Sequence, residues 1–247
     1  MIKFFRRIRQ QLLTDNKFSK YLLYAIGEIF LVVVGILIAL SINNWNEERI
    51  TNEKEQHALL EIKSDLEHNI SRLNYVISDP EEGIESIMET IDIVVFNLEE
   101  SKVYNDSMEQ HFIRLFNYPD IALKSSGYES LTSMGMDLIS DHHLRSEIGI
   151  LYTYQIPLVK LAFREVRDDF YHYMLDYLNG YFVSRLDENG RDIRLPVNYN
   201  ELINNREFIE SLKNYKYVYD YFIRESKVTL NECKGLLQEI GKEIKVQ

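Results

Sequence analysis

Residues 21–42, YLLYAIGEIFLVVVGILIALSI, form an apolar run with a single ionisable group, Glu28, and no proline. A helix rises about 1.5 Å per residue, so the run reaches roughly 33 Å, enough to cross a bilayer's hydrocarbon core. The spacing therefore predicts one transmembrane helix over 21–42. A signal peptide cut near Ala39-Leu40-Ser41 is the rival reading, but signal-peptide cores use only about 7–15 apolar residues.

Flanking charge predicts the orientation. Lys3, Arg6, Arg7, Arg9, Lys17 and Lys20 precede the run, opposed by Asp15 alone, whereas residues 43–60 hold only Arg49 and Lys54 as basic groups. The positive-inside rule then places the N-terminus in the cytoplasm. Tyr21, Tyr24 and Trp45 sit where amphipathic rings prefer the headgroup zone, and are read as interface anchors. In residues 1–20, Phe5, Ile8 and Leu12 recur at helical spacing among cations. They fit either a short helix on the inner leaflet or a basic flank that only sets topology.

The chain carries 28 basic and 39 acidic residues. Setting aside the six cations above with Asp15 and Glu28, residues 43–247 carry a net charge of −15. Such a domain is not expected to bind nucleic acid or lie on anionic lipid. One cysteine, Cys233, excludes an intrachain disulfide. Four prolines, ten glycines and long periodic runs point to an all-α domain over 43–247 with a single core.

Leu59, Ile62, Leu66, Ile70, Leu73 and Ile77 mark a first helix that Asp79-Pro80 stops while capping the next. Ile84 to Leu98 marks a second helix, and Ser107 with Gln110 reads as a capping box for a third ending at Pro119. Ser126–Gly135 predicts a short helix with a glycine cap. From Ser140 or Asp141 runs a long helix with the stripe Leu144, Ile148, Leu151, Leu158, Ala162, Val166, Phe170, Tyr173 and Tyr177, kinked near Pro157. Asn189-Gly190 suggests a hairpin-like insertion near 181–196. From about Asn205 a last helix keeps a seam of Phe208, Leu212, Tyr215, Tyr219, Phe222, Ser226, Thr229, Cys233, Leu237, Ile240 and Ile244. The fold expected is an N-terminal transmembrane helix followed by an exported antiparallel helical bundle.

Two stretches together resemble a known family. KFSKYLLYAIGEIFLVVVGILIALSINNWNEE (17–48) is similar to the anchor region of an uncharacterised Bacteroidota membrane-protein family, the domain of unknown function 6090. GYESLTSMGMDLISDHHLR (127–145) is similar to that family's Tyr-x-x-Leu-x-x-x-Gly segment. The resemblance implies a bacterial single-pass envelope protein in the inner membrane with a periplasmic domain. It implies no activity and no functional residues.

Glu28 lies seven residues into the span, where a carboxylate is expensive. It is read as protonated, hydrated from the near interface, or paired with a partner helix. Gly35 and Ala39 form a small-xxx-small pair that lets helices approach, and Glu28 shares the Gly35 face. Asp65-x-x-His68 and Asp169-x-x-His172, with Asp176, echo the spacing of di-iron bundles. Their phase instead predicts solvated helix faces, so Asp169, His172 and Asp176 are weak metal candidates only. His142-His143 is read as a helix start, Cys233 as a buried apolar residue, and the 17 tyrosines as core and rim, with an exposed aromatic surface as the alternative.

No nucleophile motif and no phosphate-cradling glycine loop is present, and no cofactor is expected. The reading is a non-enzymatic envelope interaction or scaffold protein. It meets the lipid bilayer and a membrane-protein partner or a second copy. Alternatives are a ligand-sensing bundle signalling through a partner, and a metal-dependent enzyme.

Overall fold

The computed structural model describes residues 18–100, 103, 104 and 106–244, with side chains from Leu22 onward except that of Tyr24. Residues 1–17 and the side chains of Tyr21 and Tyr24 therefore lie outside the described residues. The chain divides into two compact units, residues 1–54 and 55–247.

Helix α1 (Phe18–Ser78) supplies the first unit. No described side chain between Leu22 and Lys54 is buried. The helix is long and apolar enough to cross a membrane. An apolar surface on every side of a helix suits hydrocarbon rather than water.

The second unit is an all-helical bundle with a small two-stranded sheet. Ala58, Leu59, Ile62, Leu66, Leu73, Val76 and Ile77 of α1 enter its core. The helix ends at Ser78, before Asp79-Pro80 as expected, but the chain does not reverse there. Backbone bonds of helical span run on from Asp79 N to Tyr75 O (3.0 Å), from Gly83 N to Asp79 O (2.9 Å) and from Ile87 N to Gly83 O (3.1 Å). The next helix, α2 (Ile84–Glu99), thus continues onward. Asp79 caps the intervening turn, accepting from Glu81 N and Glu82 N, and leaves α2 to start on Gly83. A Cβ at Gly83 would lie 2.5 Å from the Asp79 backbone, so the wound turn demands glycine.

A short 3₁₀ turn (Asp106–Met108) and α3 (Glu109–Arg114) follow. Met108 stands at the N-cap place of α3, and Ser107, expected there, lies one residue earlier inside the 3₁₀ turn. The chain then returns along α1 and carries α4 (Ser126–Met134) on the way. Gly135, at φ 103°, closes α4 as its sequence predicts.

Asp141 caps α5 (His142–Ile150), its carboxylate accepting from His143 N and Leu144 N. Two π turns, Leu151–Gln155 and Phe170–Met174, join α5 to α6 (Ile156–Asp169) and α6 to α7 (Leu175–Tyr181). The break expected near Pro157 takes the form of the first π turn, just ahead of a proline that has no N–H to give. Both π turns shift the helical phase. The buried stripe therefore runs through Tyr152, Gln155, Ile156 and Val159, and ends on Met174 and Leu178. Leu158 and Tyr177 are only half-buried and Tyr173 is exposed, where uniform spacing had placed all three inside.

Strands β1 (Phe182–Leu186) and β2 (Asp192–Pro196) pair antiparallel, Phe182 opposite Pro196. Asp187 closes the turn by accepting from Asn189 N and Arg191 N, and Gly190 takes φ 75°. After α8 (Tyr199–Ile203), Asn205 caps α9 (Arg206–Glu243). Eleven core positions had been expected on this helix; nine are buried, with Leu236 taking the place of Leu237, and Ile244 packed against the rim.

Contacts fix the directions. Lys213, Lys216 and Lys227 of α9 reach Glu99, Asp92 and Glu85 of α2, at 2.6, 2.6 and 2.8 Å. Gln56 on α1 donates to the Glu243 carbonyl. Helix α9 therefore descends antiparallel to the α1–α2 rod. It also descends antiparallel to α5–α7: Gln155 meets Thr229, and the rings of Phe163 and Phe222 are 5.7 Å apart.

Cys233 sits fully inside this seam, and burial pushes its thiol up to about 12. Thiolate is the reactive form. A maleimide should therefore label the protein in denaturant but leave it unlabelled over the same time in native buffer. Rapid native labelling would contradict the seam as described.

Candidate functional site

The segment returning from α3 to α5 has to descend along α1 with little secondary structure of its own. Buried backbone N–H and C=O groups need partners, and a non-helical strap cannot supply them internally. Polar side chains of α1 do so. Arg72 donates to the Asp120 carbonyl, and His68 Nε2 lies 3.2 Å from the Ala122 carbonyl. Asn69, fully buried, donates to Lys124 O at 2.9 Å and accepts from Lys124 N at 2.7 Å, as a neighbouring strand would.

Asp65 is only 4% exposed. Its carboxylate accepts from Ser126 Oγ at 2.9 Å and Gly127 N at 2.6 Å. It thus caps the first turn of α4 from another helix, where a carboxylate also meets the positive end of the helix dipole. Glu55 accepts from Ser140 N and Oγ, at 2.7 and 2.8 Å, just before α5 begins. Gly127 lies so close that a Cβ there would stand 2.7 Å from the Ile62 nitrogen. Tyr128 stacks on Tyr152 with centroids 4.8 Å apart, and Leu131 is buried. The Tyr-x-x-Leu-x-x-x-Gly segment is thus the anchoring point of the strap.

The family of unknown function DUF6090 matches residues 28–166. The chain belongs to the DUF6090 family. No curated protein and no solved structure matches it. The matched stretch holds Glu28, the whole strap and every α1 residue that grips it, and stops inside α6, ahead of α9.

In this DUF6090 chain the Asp65 and His68 reading needs correction. Both had been placed on a solvated face by helical phase, but the strap covers that face, burying Asp65 and half-burying His68. The weak metal candidates do not gather. Asp169 is half-buried, its carboxyl group raised by burial, while Asp176 and His172 are exposed and His172 Nδ1 lies 2.7 Å from the Asp168 carbonyl. Among the described residues no three His, Cys, Asp or Glu side chains come together as a metal-ligand set. His142 lies beside Arg145, and His143 is exposed and 3.7 Å from Glu239.

Glu28 is half-exposed on α1, Gly35 and Ala39 are exposed, and Trp45 is 64% exposed. Of the tyrosines, Tyr215 and Tyr219 are fully buried with hydroxyls 3.1 Å apart, and burial holds both phenols above their ordinary value. Tyr154, Tyr171, Tyr173 and Tyr217 are exposed. The sequence reading missed the gripping residues Glu55, Asn69 and Arg72. The one available signal was polar residues interrupting the inner flank of an otherwise apolar stripe.

Two predictions follow from this geometry. Gly127→Ala and Asp65→Ala should each lower stability by about 1–3 kcal/mol, read as a lower melting temperature of the detergent-solubilised protein. Glu188→Ala, in the exposed hairpin turn, should leave it unchanged.

His111 titrates in the opposite sense to a stabilised cation. Its Nδ1 is buried without a partner, and burial, then Arg114, lowers its pKa against the opposing pull of Glu89. A folded pKa below the unfolded value of about 6.5 means the unfolded chain takes the proton first. Stability should therefore fall as pH drops through and below that value. His111→Gln should flatten this part of a melting-temperature profile between pH 8 and pH 5, whereas an unchanged slope would assign it to other groups.

Proposed function

We propose that this DUF6090 protein is a single-pass inner-membrane protein with its N-terminus in the cytoplasm, whose exported bundle binds other proteins rather than performing catalysis. The observation that carries the reading is where the polar side chains go. Those buried along α1, namely Glu55, Asp65 and Asn69, all satisfy the backbone or side chains of the protein's own strap. The apolar first part of α1, with no described side chain buried between Leu22 and Lys54 and with asymmetric charge on its flanks, supports the anchor and its orientation. An acid at the depth of Glu28 supports a helix partner within the bilayer, since such residues usually face protein.

One observation favours a second reading, a ligand-sensing bundle. The hydroxyls of Thr90, Tyr152 and Ser226 are buried without hydrogen-bond partners, so the interior has polar capacity that the fold does not use.

The interaction reading is tested on full-length protein, briefly crosslinked in native membranes and solubilised in mild detergent. A partner should be recovered at fixed stoichiometry with the wild type and lost with Glu28→Leu. Recovery unchanged by the substitution removes Glu28 as the contact. Recovery of no partner with either protein overturns the interaction reading itself.

A further inference from the structure

Among the described residues, four tyrosine pairs bring their rings close: Tyr104 with Tyr199, Tyr118 with Tyr171, Tyr128 with Tyr152, and Tyr215 with Tyr219. They differ in what touches and in what solvent reaches. Tyr152 and Tyr199 bury their hydroxyls without a partner, so those two pairs do not join oxygen to oxygen. Tyr215 and Tyr219 do, but both are fully buried and stand one turn apart on the same helix. Of the four, Tyr118 and Tyr171 alone combine hydroxyl contact, at 2.7 Å, with solvent access, Tyr171 being 48% exposed.

This pair also joins remote segments. Tyr118 lies on the strap and Tyr171 in the second π turn of the α5–α7 rod, 53 residues apart. Phe163 and Phe170 flank the Tyr118 ring, with centroids 6.5 and 5.1 Å away, and hold it against the rod. Arg72 of α1 takes hold of the strap two residues later, at the Asp120 carbonyl. Loss of one electron and one proton turns a phenol into a phenoxyl radical. Its unpaired spin lies on the oxygen and on the ring carbons beside and opposite it. The opposite carbon carries the side chain's Cβ, so two such radicals couple at the carbons beside the oxygens. In Tyr118 and Tyr171 these carbons flank hydroxyls already in contact, and ring rotation brings them together without any encounter through solution.

We propose that Tyr118 and Tyr171 are a site of oxidative cross-linking, which fastens the strap to the α5–α7 rod through a carbon–carbon dityrosine bond. The co-reactant is a one-electron oxidant, peroxide-derived or metal-centred, and two equivalents are reduced per bond. Each equivalent takes one electron from one phenol, whose proton goes to solvent. The two radicals join, and the hydrogens on the joined carbons move to the oxygens, which restores both phenols. The product is the parent chain less two hydrogen atoms. A bridge between segments far apart in sequence restricts the unfolded chain as a disulfide does, and a single cysteine gives this chain no disulfide of its own. The inference needs no partner and stands apart from the interaction reading.

The test uses dilute full-length protein in mild detergent, illuminated briefly with tris(bipyridine)ruthenium(II) and persulfate, which generate a one-electron oxidant. Monomer from a denaturing gel is digested and read by mass spectrometry. A linked peptide pair holding Tyr118 and Tyr171 should appear, two hydrogen atoms lighter than its parts. It should be lost in Tyr118→Phe and in Tyr171→Phe, whose melting temperatures before treatment show that they remain folded. Tyr217→Phe, at a tyrosine 77% exposed, should form it as the wild type does. Wild type treated in denaturant should not form it, because the fold supplies the proximity. The cross-linked protein should melt at a higher temperature than the untreated one. Links only between other tyrosines, no link at all, or equal formation in denaturant overturns the site. An unchanged melting temperature overturns its fastening role.

Discussion

A connecting segment that must lie buried against a helix has to find partners for its backbone, and in this bundle α1 provides them. Asn69 imitates a neighbouring strand for Lys124, Asp65 caps α4, and Glu55 holds Ser140 at the threshold of α5. An unpartnered buried amide or carboxylate would cost several kcal/mol, so these bonds determine where the strap can lie. The course of the strap in turn sets where α5–α7 begins its ascent and which flank α9 has left to cover.

The same segment explains why small residues stand where they do. Gly127 brings the start of α4 against the α1 backbone, at the very point where Asp65 reaches Gly127 N. Any side chain there would push α4 away from its cap. At Gly83 the crowding is local, since the turn after α1 folds back on Asp79. That close approach lets α2 carry on in the direction of α1 rather than turn back, and it is why α9 meets both helices, α2 through a row of lysine contacts and α1 through Gln56.

The two π turns of the α5–α7 rod do comparable work on a single helix. Each admits an extra residue into a turn, which rotates everything after it relative to what came before. The first precedes Pro157. The second follows Asp169 and carries Met174 inward in place of Tyr173. A helix of uniform pitch would have put different side chains on the α9 flank. The meeting of Tyr171 with Tyr118 likewise depends on how that rod is wound.

Much was legible from sequence because it depends on local physics. The apolar run, the charge asymmetry around it, the caps at Asp141 and Asn205, the Gly135 stop, the Gly190 turn and most of the α9 seam follow from periodicity and backbone preference, which neighbours a few residues apart decide. The tertiary structure alone decided the rest. Asp65 and His68 read as solvated because helical phase is measured against a core, while the strap that buries them is distant in sequence. The direction of α2, the phase shifts around Pro157 and Phe170, and the meeting of α6 with α9 likewise arise from contacts between remote segments. No spacing within one segment encodes which other segment will lie against it.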